Sequence, residues 1–301
     1  MRVSFFYDIP CNIKNKKISE IVYKINKVLL NILYPIFVKS EYGLDPNSNT
    51  VISLTSFPER IDTLWITIET LLHQTKKPKK IILWLSQEQF PNREKELPSK
   101  LIKLTNYGLS IRFCDNLYPH KKYYYTMLEY PDCNVVTVDD DIFYPEYLIE
   151  YLENTLDIFP NTICCTWAHE IKLNNGKIEK YDNWNHGVDR RLEPAINIMP
   201  VGCGGVLYPP HCLHKDLFSK DKILELCLMT DDLWLKSMAV LNNTPAVRID
   251  KNARIYMSRL KTQKAGLYYE NVRNNKNDIS LNKIIGQYKE IEVILKQSEE
   301  V

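Results

Sequence analysis

Short apolar runs alternate with stretches of helical periodicity along this chain. Val51 to Thr55 is an apolar run that stops at Ser56, Phe57 and Pro58, and it predicts a short buried strand. Ile61, Leu64, Trp65, Ile68, Leu71 and Leu72 then recur at helical spacing, and Pro78 separates that helix from a strand over Lys80 to Leu85. Leu97 to Leu104 predicts another helix, Leu109 to Phe113 a third strand and Val135 to Val138 a fourth. A helix near Pro145 to Leu152 and a β run from Thr162 to Trp167 follow. Strands alternating with helices point to an α/β fold with a largely parallel, doubly wound sheet. Residues 173 to 199 are polar and irregular, as substrate loops are. From Ser280, the apolar set Leu281, Ile284, Ile285, Tyr288, Ile291 and Leu295 predicts one terminal amphipathic helix that covers the core or a partner.

The amino-terminal segment is of another kind. Residues 18 to 38 are long enough to span a bilayer, but Glu20, Lys24, Asn26, Lys27 and Asn31 interrupt them. No small-residue cleavage site of the A-x-A kind is present, which disfavours a signal peptide. The expectation is a Lys-rich amphipathic helix, with Lys14, Lys16, Lys17, Lys24 and Lys27 beside its apolar positions. It either packs on the domain or touches an anionic membrane through residues 12–38. The resulting division is a basic helical segment 1–45, a catalytic domain 46–260 and a helical tail 261–301 packed on it.

Composition narrows the class. With 301 residues, 45% hydrophobic and 25% charged, the chain is neither disordered, collagenous nor coiled coil. Lys and Arg number 39 against 37 Asp and Glu, and the resulting net charge of +2 argues for no nucleic-acid partner. Lys76, Lys77, Lys79 and Lys80 read as a solvated loop. The eight cysteines contain no C-x-x-C pair and several lie in apolar runs, which favours reduced thiols and a cytoplasmic location, including the inner face of the plasma membrane. His211, Cys212 and His214 lack a second cluster to complete a zinc site.

Chemistry concentrates in three places. Asp139, Asp140 and Asp141 follow the fourth strand directly, where open α/β sheets gather ligands. Adjacent carboxylates repel, and Mg²⁺ or Mn²⁺ relieves that while leaving sites for the oxygens of a diphosphate. A solvated acidic turn or a set of helix N-caps is the plainer alternative. Asp231 and Asp232 precede a helical run with Leu233, Trp234 and Met238. They serve either as an N-cap with dipole compensation or as a general base for an acceptor hydroxyl. Only 9 glycines occur in the whole chain, fewer than the usual ~7%, yet Gly202, Gly204 and Gly205 fall together. Neither G-x-G-x-x-G nor G-x-x-x-x-G-K-[ST] is present, which disfavours nicotinamide enzymes and P-loop nucleotidases. Trp167, Trp184, Tyr208 and Trp234 could stack on a sugar, although core packing is the favoured reading for any one of them.

Taken in order, VISLTSFPER from Val51, VVTVDDDIFYP ending at Pro145, GCGGVLYPP from Gly202 and TDDLWL from Thr230 resemble a bacterial nucleotide-sugar glycosyltransferase of GT-A fold. Such families build surface polysaccharides, and the resemblance covers roughly residues 50 to 250. It implies a GT-A-like, Rossmann-type α/β/α sandwich with a mostly parallel central sheet, flanked by N- and C-terminal helices. Thr55, Ser56 and Arg60 would lie near the nucleotide with Lys122 beside them, Asp139 would face ribose or metal, Asp140 would adjoin the nucleotide sugar, and Asp141 would bind Mn²⁺ or Mg²⁺. Gly204, Gly205 and Trp234 would line the acceptor side, and Asp232, with Asp231 next to it, matches the base of inverting members. Many metal-dependent relatives add a His ligand from the C-terminal part, whereas no His follows His214 here.

The resemblance thus implies transfer of a sugar from a nucleoside diphosphate donor, a UDP-sugar in the first instance, to a saccharide or lipid-linked saccharide. Three rivals stand beside it: a retaining transferase, a glycoside hydrolase using paired carboxylates, and a non-catalytic carbohydrate-binding protein. A sugar nucleotidyltransferase is disfavoured because no Gly-rich N-terminal nucleotide loop is present.

Overall fold

A computed structural model describes residues 1–38, 43–188, 193–249, 255–260, 262 and 275–299. Two helices, α1 (Ser4–Cys11) and α2 (Lys16–Phe37), precede β1 (Thr50–Thr55), α3 (Pro58–Leu72), β2 (Lys80–Ser86), α4 (Ser99–Lys103) and β3 (Leu109–Cys114). Next come α5 (Lys121–Glu129), β4 (Asn134–Thr137), α6 (Leu148–Ile158) and β5 (Ile163–Cys165). The irregular region contains β6 (Ala168–Glu170), β7 (Leu173–Asn174), β8 (Lys177–Ile178) and β9 (Ile198–Pro200). After it lie β10 (Val206–Tyr208), α7 (Lys220–Leu226), α8 (Asp231–Leu241), β11 (Ala246–Arg248), α9 (Lys276–Gln287) and α10 (Glu290–Glu299).

Seven strands form the central sheet in the order β11-β5-β10-β4-β1-β2-β3. Every pairing is parallel except those of β10, which runs antiparallel to both β4 and β5. The sheet is flanked by helices on both faces, an α/β/α arrangement. Alternation along β1 explains the two layers. Ile52 and Leu54 pack into a core with Leu64, Ile68 and Leu71 of α3 and Leu148 of α6. Ser53 points the other way, and its hydroxyl lies 2.6 Å from that of Thr126 on α5. A second core joins Tyr123 of α5, Trp234 and Met238 of α8, and Leu281, Ile284 and Leu295 from the two terminal helices.

Several expectations change in detail. The β run from Thr162 to Trp167 forms a strand only over β5. The 173–199 stretch is not structureless. Asn175 and Gly176, both at positive φ, turn β7 into β8, and β9 pairs with β6. The single terminal helix is two helices, because the chain leaves α9 at Tyr288. That ring is buried, and its hydroxyl donates to Asp216 Oδ2 at 2.7 Å while accepting from Lys222. The start of the proposed tail, at 261, falls largely outside the described residues.

The N-terminal helix packs on the domain, but along a mixed edge. Ser19, Asn26, Leu30 and Tyr34 are its buried residues, and Asn26 donates to the Phe6 carbonyl at 2.9 Å. No helix among the described residues is long and apolar enough to cross a membrane. None of the eight cysteines forms a disulfide.

Candidate active site

The acidic triplet occupies the carboxyl end of β4, beside the carboxyl end of β1. Val138 N donates to Ser53 O at 3.2 Å, so the chain departs from the sheet directly into Asp139. The triplet caps no helix, since α6 begins only at Leu148 with Tyr147 before it.

Each of the three carboxylates has a distinct environment. Asp140 is tied inward: Ser56 Oγ donates to one oxygen at 2.5 Å and Arg60 Nη1 to the other at 2.5 Å. Arg60 stands in the first turn of α3, whose start is set by Phe57 in extended conformation and Pro58 inside the first turn. Asp140 therefore clamps the β1–α3 turn to β4. Asp141 accepts from Thr262 Oγ1 at 2.9 Å, lies 3.3 Å from Arg60 Nη2, and receives the Arg259 amide on its carbonyl at 2.7 Å. Burial, helped by Asp140 and Asp139, pushes its acid up to about 6 in spite of Arg60. Asp139 is the open member, with a side chain one-third exposed. Its amide donates to the Tyr144 hydroxyl at 2.8 Å.

Lys122 on α5 joins this triplet to the second acidic pair. Its buried Nζ lies 3.1 Å from Asp139 Oδ1, 2.8 Å from Asp231 Oδ2 and 3.9 Å from Asp232 Oδ1. Burial acts to discharge this ammonium, but Asp139, Asp231 and Asp232 hold its pKa well above the usual lysine range. Asp231 and Asp232 lie in the first turn of α8, where the helix dipole favours negative charge. Asp231 is buried, and Lys122 overcomes that burial to keep it ionised. Asp232 is the more open of the two, with about a quarter of its side chain exposed, and accepts from Gly202 N at 3.1 Å. Enclosure, with Asp231 and Asp139 adding to it, pushes the Asp232 acid up to about 7 against the pull of Lys122.

Gly202 is where the glycine-rich turn meets the acids. A Cβ there would sit 2.6 Å from Lys122 Nζ, 3.2 Å from Asp232 Oδ1 and 3.3 Å from Asp139 Oδ1. Gly204 and Gly205 have other neighbours. A Cβ on the first would strike Thr166 and the Trp167 backbone, and Gly205, at φ +86, faces Leu148. Trp234 is fully buried and its indole N–H donates to Leu217 O at 3.2 Å, so it belongs to the second core and presents no face to an acceptor. Trp184 and Tyr208 are buried too; Trp167 is half-buried beneath the Arg248 guanidinium. Thr55 ends β1 with its hydroxyl on Trp84 O at 2.8 Å.

Arg259 belongs to the same cluster although no sequence motif marks it. It is buried beside Asp140, Asp141 and Arg60, and none of its guanidinium nitrogens has a hydrogen-bond partner among the described residues. Burial draws its pKa down to about 10, while Asp140 and Asp141 act against that. No motif surrounds it; the only signal is a cation shortly after β11.

Among the described residues no three His, Cys, Asp or Glu side chains converge as a ready metal site. Asp139 and Asp141 are nevertheless suited to a hard cation. Among the described residues, the carboxylates at 139, 140, 141, 231 and 232 gather around Arg60, Lys122 and Arg259, and Lys27 also acts on Asp141. Two carboxylates with phosphate oxygens completing the shell is the usual Mg²⁺ arrangement. A cavity of about 260 Å³ lined by Asp45, Asn49, Lys76 and Glu153 lies at the opposite, amino end of β1 and contains no residue of this cluster.

No family model and no curated protein matches the chain. Among solved structures it is similar to a mannosyltransferase from Pyrobaculum calidifontis in complex with GDP-Man and Mn²⁺, at TM-score 0.46 and 9% identity over 87% of this chain and 71% of that one. It is also similar to a 4-diphosphocytidyl-2C-methyl-D-erythritol synthase, at TM-score 0.38 and 10% identity over 75% of this chain and 98% of that one.

Proposed function

We propose that the chain is a metal-assisted, inverting glycosyltransferase that moves a sugar from a nucleoside diphosphate donor to a saccharide or lipid-linked saccharide in bacterial surface polysaccharide synthesis. A UDP-sugar carrying a hexosyl or N-acetylhexosaminyl group is the favoured donor. The observation that carries this reading is Lys122, which draws the strand-end triplet and the helix-start pair into one charged cluster.

In this mechanism Asp232 accepts the proton of the acceptor hydroxyl. The freed oxygen attacks the anomeric carbon, and the bond to the diphosphate breaks on the opposite face with the electron pair leaving on phosphate. Proton removal of this kind contributes roughly 10² to 10⁴ in rate. Asp231 holds Lys122 in place, and Asp140 with Ser56 orients Arg60 toward the nucleotide. Arg60 and Arg259 offset negative charge on the leaving diphosphate, a preorganised electrostatic contribution. Asp139 and Asp141 would hold Mn²⁺ or Mg²⁺, which when bound supplies Lewis-acid stabilisation of the same leaving group. Gly204 and Gly205 shape the acceptor side through the turn that begins at Gly202.

Calorimetric titration of UDP and GDP, each with and without Mn²⁺, into the wild type and Asp141→Ala tests the donor site. Metal-dependent binding that disappears in the variant supports the reading. Glycan cleavage in the absence of nucleotide and metal would replace it with the hydrolase reading. Product-anomer assignment by NMR then tests the base, because a retained configuration is incompatible with Asp232 acting as proposed.

A further inference from the structure

Helix α2 is amphipathic with its broader apolar face turned away from the protein. Ile18, Ile21, Ile25, Val28, Ile32 and Ile36 recur at three- and four-residue spacing and are each 45 to 66% exposed. The buried edge of the same helix is the poorer in hydrocarbon, since two of its four residues are Ser19 and Asn26. Hydrophobic burial within this chain would have selected the opposite orientation.

The polar margin of the stripe is basic. Lys14, Lys16, Lys17 and Lys24 are exposed, whereas Glu20 is the one acidic residue of α2 and already pairs with Lys24 at 3.1 Å. We propose that α2 is an in-plane anchor for an anionic lipid surface, with its isoleucine stripe in the headgroup and acyl boundary and its lysines on the lipid phosphates. Charge decides between this occupant and a second copy of the chain: a two-fold pairing through the stripe brings two basic margins together with little acid to offset them. The charged residues along the helix equally prevent it from spanning the bilayer.

The inner edge of α2 reaches the acid cluster through one hydrogen-bonded layer. Tyr23 donates to Ile255 O at 2.8 Å, Lys27 to Ser258 Oγ at 2.8 Å, and Asn31 Oδ1 accepts from Leu260 N at 2.8 Å. The same short segment supplies the Arg259 amide to Asp141. An anchored α2 thus sets the acids at a fixed relation to the lipid surface; that consequence rests on the transferase reading, whereas lipid binding does not.

Sedimentation of the full chain with vesicles of phosphatidylcholine, alone or mixed with phosphatidylglycerol, tests the anchor without any sugar donor. The wild type is expected to pellet with the anionic vesicles alone, and less so as salt rises. Replacing Ile21, Ile25 and Ile32 together by Ser should lower partitioning at least about tenfold, and Lys17→Gln with Lys24→Gln roughly 30-fold, without lowering the melting temperature. Should the isoleucine triple variant melt early, the lysine pair, which touches no core, carries the test. Equal pelleting of wild type and variants overturns the proposal. So does a wild type that ignores vesicles but sizes as a dimer that the triple variant disperses.

Discussion

Lys122 Nζ stands 2.8 Å from Asp231 Oδ2, a buried ion pair that connects α5 to the first turn of α8. Both partners are out of water, so removing Lys122 leaves the Asp231 carboxylate buried without its ion-pair partner. Lys122→Met should cost about 3–5 kcal/mol, measurable as a fall in the denaturation midpoint, and should abolish transfer. Lys122→Arg keeps the charge and should recover most of the stability.

Asp231 and Asp232 are adjacent in sequence yet differ in surroundings, and the proposed mechanism gives them different roles. Asp232→Asn should fold and bind donor nearly as the wild type while transfer falls about 10²- to 10⁴-fold. Asp231→Asn should instead lower the melting temperature, because it takes from buried Lys122 its nearest carboxylate and leaves only Asp139 and the more distant Asp232. Calorimetry and rate measurements on both variants separate the roles, and equal stability losses would argue against the division.

The Asp232 acid is pushed up to about 7 by enclosure, so on the proposed mechanism transfer should be sensitive to pH near neutrality. A base must be ionised, so kcat/KM should rise as pH increases through about 7, and Asp232→Asn should flatten the limb. Stability should move the other way. The folded chain holds this proton more tightly than the unfolded chain, whose carboxyl titrates near 3.8. The group's stabilising contribution is therefore complete below that value and lost as pH rises through about 7.

Gly202 and Gly204 should respond differently to alanine. At Gly202 the new methyl meets the end of Lys122 and the two carboxylates. Transfer should fall by at least about tenfold with a stability loss near the low end of the ~1–3 kcal/mol seen for overpacking. At Gly204 it lies 2.7 Å from the Trp167 backbone nitrogen, which cannot give, and the melting temperature should drop further.

Lys236, on α8, is buried, and its ammonium has no hydrogen-bond partner among the described residues. Burial draws its pKa down to about 7 from 10.5. The unfolded state therefore binds more protons between those values, and wild-type stability should climb across that window. Lys236→Met should remove the slope and raise the melting temperature at pH 7 by at least about 3 °C. A flat wild-type profile would count against it.

Apolar runs made β1, α3, β2, β3 and β4 legible, because each buries a regular hydrophobic pattern and ends at a turn residue. Helix α5 was not, although it carries Lys122. Its buried residues include Lys121, Lys122 and Thr126, and a helix that buries charge leaves no hydrophobic period to read. The acids at 139–141 and 231–232 stood out as clusters, but only the crossover of the chain brings Lys122 between them. Trp234 shows the converse limit: helical spacing says which residues share a face, not which neighbour receives it. For α2 the spacing revealed two faces, and tertiary hydrogen bonds to the 255–260 segment decided which one turned inward.

Strand β10 runs against its neighbours, with Val206 opposite Thr137 and Tyr208 opposite Val135. A parallel strand offers the loop that follows it to this edge of the sheet; β10 offers the loop that precedes it. The long excursion between β6 and β9 is thereby tethered at its exit, through the glycine turn, beside the acids, while the strand behind it keeps its own register. On the proposed reading, changes of length or sequence in that excursion would alter the surroundings of the acids without requiring the sheet to be rebuilt, so substrate choice and fold could diverge at separate rates.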